Sequence, residues 1–261
     1  MNAFAETLFP ARRAVIVRIM PAAEAGLIRN HTIWRDAEGQ PIDCHEGAII
    51  RVGDTFHWYG RVYAANPEGI YGTGGMQYRC GFIYYSSTDL VNRTNRGMIL
   101  TYPESGWLTE GTWHRPRMIY HAPTKKYVLW FFRLQKAYPP PPVVATADAP
   151  TGPFTVLGQV KDDFVSGDLA TFLDDDGQGY LCHDGGPTGR QAMISRMTPD
   201  FLSLTKDTLV AMPTDIHRES ECPTRYKGRY LVAASGISGL HAGVGESECY
   251  YAVENVGWMR E

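Results

Sequence analysis

Gly53-Asp54-Thr55-Phe56-His57-Trp58-Tyr59 is a polar turn that runs straight into an aromatic strand, and the pattern returns three times. It recurs as Thr124-Lys125-Lys126-Tyr127-Val128-Leu129-Trp130, as Asp176-Gly177-Gln178-Gly179-Tyr180-Leu181-Cys182 and as Tyr226-Lys227-Gly228-Arg229-Tyr230-Leu231-Val232. The matching aromatics Phe56, Tyr127, Tyr180 and Tyr230 stand 71, 53 and 50 residues apart, the period of a four-stranded propeller blade with its loops. Gly, Asp and Lys suit these turns because a tight hairpin needs positive φ or side chains that stay in solvent. A second element follows several copies: Tyr84-Tyr85-Ser86-Ser87-Thr88-Asp89-Leu90, then Ala145 to Phe154, then Ser195 to Phe201. It reads as the third strand of each blade and its turn, and places blades at about 44–100, 112–158, 166–206 and 219–258. Pro139-Pro140-Pro141-Pro142 falls between two strands of one repeat, so it reads as a stiff loop inside a blade.

The rest of the chain agrees with an all-β class. With 27 Gly, 17 Pro, 10 Phe, 15 Tyr and 6 Trp, and few stretches of 3.6-residue periodicity, many short strands are expected rather than helices. The expectation is one propeller domain over residues 1–261, with 1–30 as an N-terminal extension. Lys and Arg number 25 against 28 Asp and Glu, net charge -3, with no block of like charges, which excludes nucleic acid and anionic membrane as expected partners. The longest strongly apolar run is about Val128 to Phe132, and Ala14-Val15-Ile16-Val17 is broken by Arg18, so neither a transmembrane helix nor a signal peptide is expected. A cytoplasmic location would follow. Cys44, Cys80, Cys182, Cys222 and Cys249 are odd in number and widely spaced, which predicts free thiols. No metal or cofactor is expected. Asp174-Asp175-Asp176-Gly177 lacks the spacing of a calcium loop and reads as a hairpin turn, Gly72-Thr73-Gly74-Gly75 does not complete a phosphate cradle, and Gly236-Ile237-Ser238-Gly239 is one residue short of a nucleophile elbow.

In a propeller the innermost strands face the central axis, so residues at one register in different repeats converge. Glu46 lies 10 residues before Phe56, Arg115 lies 12 before Tyr127, Asp168 lies 12 before Tyr180 and Glu221 lies 9 before Tyr230. Three carboxylates and an arginine thus share one register. With little opportunity for each carboxylate to hold its own salt bridge, their pKa values would be pushed apart, as an acid and base pair requires.

Over roughly residues 31–240 these segments resemble glycoside hydrolase family 43, whose members are five-bladed β-propellers that cleave glycosides with inversion. The pattern is most similar to the exo-β-1,3-galactanase branch. The residues that carry it are Trp34, Asp36, Gly39-Gln40-Pro41-Ile42, His45-Glu46-Gly47, His57-Trp58-Tyr59-Gly60, Arg115-Pro116-Arg117-Met118-Ile119-Tyr120, Ala149 to Phe154, Asp168 to Gly177 and Glu219-Ser220-Glu221-Cys222-Pro223. The resemblance implies that Glu221 is the general acid and that Asp168 raises its pKa and orients it. It puts Glu46 where most of the family has its base Asp and the galactanase branch has Gly. His114 stands where that branch has a Glu that helps hold galactose. His45, Trp58, Tyr59, His114 and Arg115 are the candidate substrate-binding residues. His45 and Arg115 each read equally well as structural, and Trp58 or Tyr59 is the candidate to stack on a sugar. Few residues follow Gly239, so the last of five blades is expected to be incomplete. The implied function is an inverting, exo-acting glycoside hydrolase on an oligo- or polysaccharide, most like a β-1,3-galactosidase. The alternatives are a non-catalytic carbohydrate-binding propeller and an arabinofuranosidase or xylosidase.

Overall fold

The computed structural model describes residues 27–29, 32–62, 81–101, 112–134, 141–160, 165–185, 191–211, 218–236 and 248–253. For 112, 133–134, 165–167, 218–221, 235–236 and 248–253 it describes the backbone alone. The described residues hold fifteen strands and no helix, all in antiparallel meanders. The first sheet is β1 (His45–Val52), β2 (Thr55–Arg61), β3 (Phe82–Ser87) and β4 (Thr94–Leu100) in that order. The second is β5 (Thr112–His121), β6 (Lys126–Leu134), β7 (Pro142–Ala147) and β8 (Thr155–Gln159). The third is β9 (Val165–Leu173), β10 (Gly179–Gly185), β11 (Gln191–Met197) and β12 (Leu204–Val210). β13 (Arg218–Tyr226), β14 (Arg229–Gly236) and β15 (Glu248–Val253) form the fourth.

These sheets are the four blades expected from the repeat, and the aromatics that defined it each occupy the second position of a second strand. The first strands touch in chain order, β1 with β5, β5 with β9 and β9 with β13, which arranges the blades about a common centre. Alternation along β6 explains how the blades stack. Tyr127, Leu129 and Phe131 point into a cluster with Tyr59, Phe82 and Leu100 of the first blade. Val128, Trp130 and Phe132 point the other way, against Leu169, Leu181, Met197 and Phe201 of the third. A strand buried on both faces reads as a continuous apolar run, which is why Val128 to Phe132 was the longest in the sequence. The third and fourth blades meet through Tyr180, Cys182 and Ile194 on one side and Tyr230, Val232 and Ala234 on the other.

The Asp174 to Gly177 turn is as expected, whereas Pro142, read as loop, begins β7, and Pro139 and Pro140 lie outside the described residues. Asp174 and Gly177 close the β9–β10 hairpin, with Gly177 N–H donating to the Asp174 carbonyl at 3.0 Å and Gly177 at φ +85°. Cys44, Cys182 and Cys222 are free thiols. Cys80, the side chain of Cys249 and the Gly72 to Gly75 loop lie outside the described residues. Among those described, no helix is long and apolar enough to cross a membrane.

Candidate active site

Each innermost strand is irregular at one place. In β1 the register with β2 shifts between His45 and Ala48, and in β5 the register with β6 shifts between His114 and Arg117. The β9–β10 register shifts opposite the stretch from Val165 to Leu169, and the β13–β14 register shifts between Glu219 and Cys222. Glu46, Arg115, Asp168 and Glu221 each lie within these irregular stretches, but at different places in them and not at one shared register. Glu46 and Arg115 sit at φ +56° and +51°, a left-handed conformation that costs a non-glycine residue about 1–2 kcal/mol and persists where the surroundings enforce it. Gly47 shows what enforces the first. A Cβ there would lie 1.5 Å from the Tyr59 carbonyl oxygen, so the strand can press against β2 only with glycine after Glu46.

The side chains at these positions meet across blades. His114 Nδ1 lies 2.9 Å from Glu46 Oε2, and Arg61 Nη1 lies 3.9 Å from Glu46 Oε1. Arg117 donates from Nη1 to the Glu46 carbonyl at 2.8 Å and to the Pro116 carbonyl at 3.1 Å. Arg115 forms an ion pair through Nε with Asp168 Oδ1. Burial, and then Arg115 beside it, lower the Arg117 pKa to about 10; Asp168, Cys222 and Glu46 oppose the shift, and the side chain stays charged at neutral pH. Arg117 is thus within electrostatic reach of groups on β1, β9 and β13 as well as its own strand. Burial also lowers the His114 pKa from its ordinary 6.5, against a weaker upward pull from Glu46, and leaves the ring neutral at pH 7.

Several expectations are corrected by this geometry. The carboxylates are not short of partners: Glu46 has His114 and Arg61, and Asp168 has Arg115. Strands of neighbouring blades approach closely enough for cations of one to reach acids of the next. Tyr59 is no sugar platform, because it is 1% exposed in the core between the first two blades and donates its hydroxyl to the Pro150 carbonyl at 3.0 Å. Trp58, one residue along and so on the opposite face of β2, packs with Cys44, Ile83 and Tyr85. Its ring meets Trp34 edge-on at 5.9 Å. Neither aromatic joins the Glu46 cluster. His45 turns to Asp43, with Nε2 2.9 Å from Oδ1, and is half exposed. His114 is buried against Glu46, and Arg115 is an ion-pair partner. Glu221 is placed by its backbone in β13; its side chain lies outside the described residues.

Arg61 and Arg117 were missed. Arg61 ends the aromatic strand β2 at its buried end and pairs in register with His45, and Arg117 stands two residues from Arg115. A charged residue held in a blade's interior strand is the signal for both. Among the described residues no cluster of three or more His, Cys, Asp or Glu side chains is arranged to hold a metal ion.

The model for glycosyl hydrolases family 43 matches residues 43–254. The chain belongs to this family. Its fold is accordingly the family's five-bladed β-propeller type, and the family's class of chemistry is glycoside hydrolysis with inversion. Among solved structures, a family-43 β-1,3-galactosidase with galactodeoxynojirimycin superposes with a TM-score of 0.70 at 22% identity, covering 86% of this chain and 80% of that one. The exo-β-1,3-galactanase of Phanerochaete chrysosporium with β-1,3-galactotriose gives 0.72 at 24% identity, covering 86% and 50%. An exo-β-1,3-galactanase from Clostridium thermocellum gives 0.72 at 25%, covering 88% and 50%. The chain thus spans about half the length of these two galactanases. No curated protein matches it by sequence.

Proposed function

We propose that this family-43 chain releases terminal β-1,3-linked galactose from galactan-type glycans by single displacement. The observation that carries the reading is that Glu46, Asp168 and the Glu221 backbone each lie in the irregular stretch of a different inner strand, with Arg117 within electrostatic reach of both Glu46 and Asp168. Inversion needs two carboxyl groups on opposite faces of the sugar, about 6.5–9.5 Å apart, one to protonate the leaving oxygen and one to take a proton from water. Glu221 is the proposed acid and Glu46 the proposed base. Asp168 orients Glu221, and its pairing with Arg115 weakens the field that it adds at the acid. The sugar is read from the likeness to galactosidases and galactanases, whose folds superpose on this one at 22–25% identity.

A second reading, a carbohydrate-binding propeller without turnover, is favoured by one observation: both carboxylates described here are already engaged by cations. One experiment separates the readings. Aryl β-galactosides, α-arabinofuranosides and β-xylosides are screened for release of the aryl group beside a calorimetric titration with β-1,3-galactobiose. Release from the galactoside supports the proposal, release from another sugar alone transfers the reading to that sugar, and heat of binding without release supports the binding module.

A further inference from the structure

We propose that His114 is the positioning residue for Glu46, holding that carboxylate through a hydrogen bond from Nδ1 to Oε2 instead of contacting the sugar. The inference rests on the reading of Glu46 as the water-activating group. Four observations meet at the ring. Its Nδ1 is 2.9 Å from Glu46 Oε2 across the junction of the first two blades. One face stacks on Phe132, with centroids 5.2 Å apart and planes 10° from parallel. Arg61 Nη1 lies 3.3 and 3.4 Å from the two ring nitrogens and 3.9 Å from the other Glu46 oxygen. The residue is 5% exposed, so little of the ring is left to meet a ligand.

These contacts define a tautomer. Burial keeps the ring neutral, and a neutral imidazole has one N–H. A carboxylate at Nδ1 places that N–H on Nδ1, which leaves Nε2 as an acceptor beside the Arg61 guanidinium. The charged groups that act on it are Glu46 from β1, Arg61 from β2 and Arg115 from its own strand β5. The division of labour is then clear. Arg117 fixes the Glu46 backbone at its strained bulge by binding the carbonyl, and His114 fixes the side chain by binding one carboxylate oxygen. A glutamate has three rotatable bonds, so without the second grip the group that must meet water within hydrogen-bond reach would wander.

The test compares His114→Asn, whose amide can replace the Nδ1 donor, with His114→Phe, which keeps the ring stacked on Phe132 and removes the donor. Each is made alone and with Glu46→Ala, and assayed on an aryl β-galactoside. His114→Phe is expected to lower kcat about 10- to 100-fold with KM within about twofold, and His114→Asn to recover most of that loss. In the Glu46→Ala background, His114→Phe should cost nothing more, because its partner is gone. A loss carried by KM, or one that multiplies with Glu46→Ala, overturns the proposal and assigns His114 to the sugar. A measurement independent of turnover accompanies this. Long-range ¹H–¹⁵N spectra of the histidine-labelled full chain at pH 7 should show His114 as the neutral Nδ1–H tautomer, and the Nε2–H tautomer or an imidazolium contradicts it. If the wild-type chain hydrolyses no glycoside, the proposed function fails while the spectra still decide the geometry of His114.

Discussion

Glu46 is held at a conformation that its own backbone disfavours, and the residues that hold it are the ones that give it a chemical use. If it activates water, Glu46→Ala should lose turnover on good and poor leaving groups alike, by about 10²- to 10⁴-fold, and azide should restore part of the rate. A parent-like rate in Glu46→Ala would make it a ligand for a sugar hydroxyl. Glu221→Gln has a different signature, because a general acid matters most where the leaving group is poor. The loss should be about 10²- to 10⁴-fold on an oligosaccharide and much smaller on an activated aryl glycoside, with binding retained; equal losses on both would assign Glu221 a structural role. The buried histidines set a pH limit of their own. Burial lowers the pKa of His114 and of His57 from the ordinary 6.5, so the unfolded chain binds protons there that the folded chain does not. Their contribution to stability is complete above pH 6.5 and declines as pH falls through the window below it. Urea midpoints between about pH 6.5 and 5 should slope less in His57→Asn and in His114→Asn than in the parent, and an unchanged slope in the double variant would contradict the assignment.

At the scale of the strand, the bulges of β1 and β5 are what turn a sheet edge into a site, and Gly47 is the clearest single requirement. Gly47→Ala forces a Cβ into the backbone of Tyr59 and Gly60. It should cost at least the upper end of the usual 1–3 kcal/mol for overpacking, and displace Glu46 with it. Gly53→Ala is the control. Its φ of +59° is left-handed, unlike that of Gly47, but nothing lies within 4 Å of the new Cβ, so only the backbone preference is lost, about 1 kcal/mol. Urea unfolding of the two variants should rank them in that order, and equal destabilisation would remove the steric account of the bulge. The strands themselves were legible in the sequence because a hairpin writes its signature locally. A polar turn, an aromatic at the second position and two-residue alternation lie within a dozen residues of each other. The side of each aromatic was less legible. Trp58 and Tyr59 are neighbours that face opposite ways, and which of the two faces is core depends on the blade that packs there.

For the molecule as a whole, the repeat period placed the four described blades to within about five residues at each end, and counting back 9 to 12 residues from each aromatic reached the irregular stretch of each inner strand. What the period could not supply was the chemistry between blades. The contact of Glu46 with His114 joins residues 68 apart in the chain, and that of Arg117 with the Glu46 carbonyl joins residues 71 apart. Such pairs follow from how one blade is rotated against the next, which no local pattern records. Arg61 and Arg117 therefore went unnoticed, and the carboxylates were expected to lack the cations that they have. The account as a whole joins a propeller pocket, two carboxyl groups on different blades and a single displacement at the anomeric carbon. Proton NMR of the first minutes of aryl β-galactoside hydrolysis, where the leaving group is not a sugar, tests that union most directly. The account predicts that the newly released galactose is first seen as the α anomer, before mutarotation supplies the β form; β-galactose as the first product would contradict it.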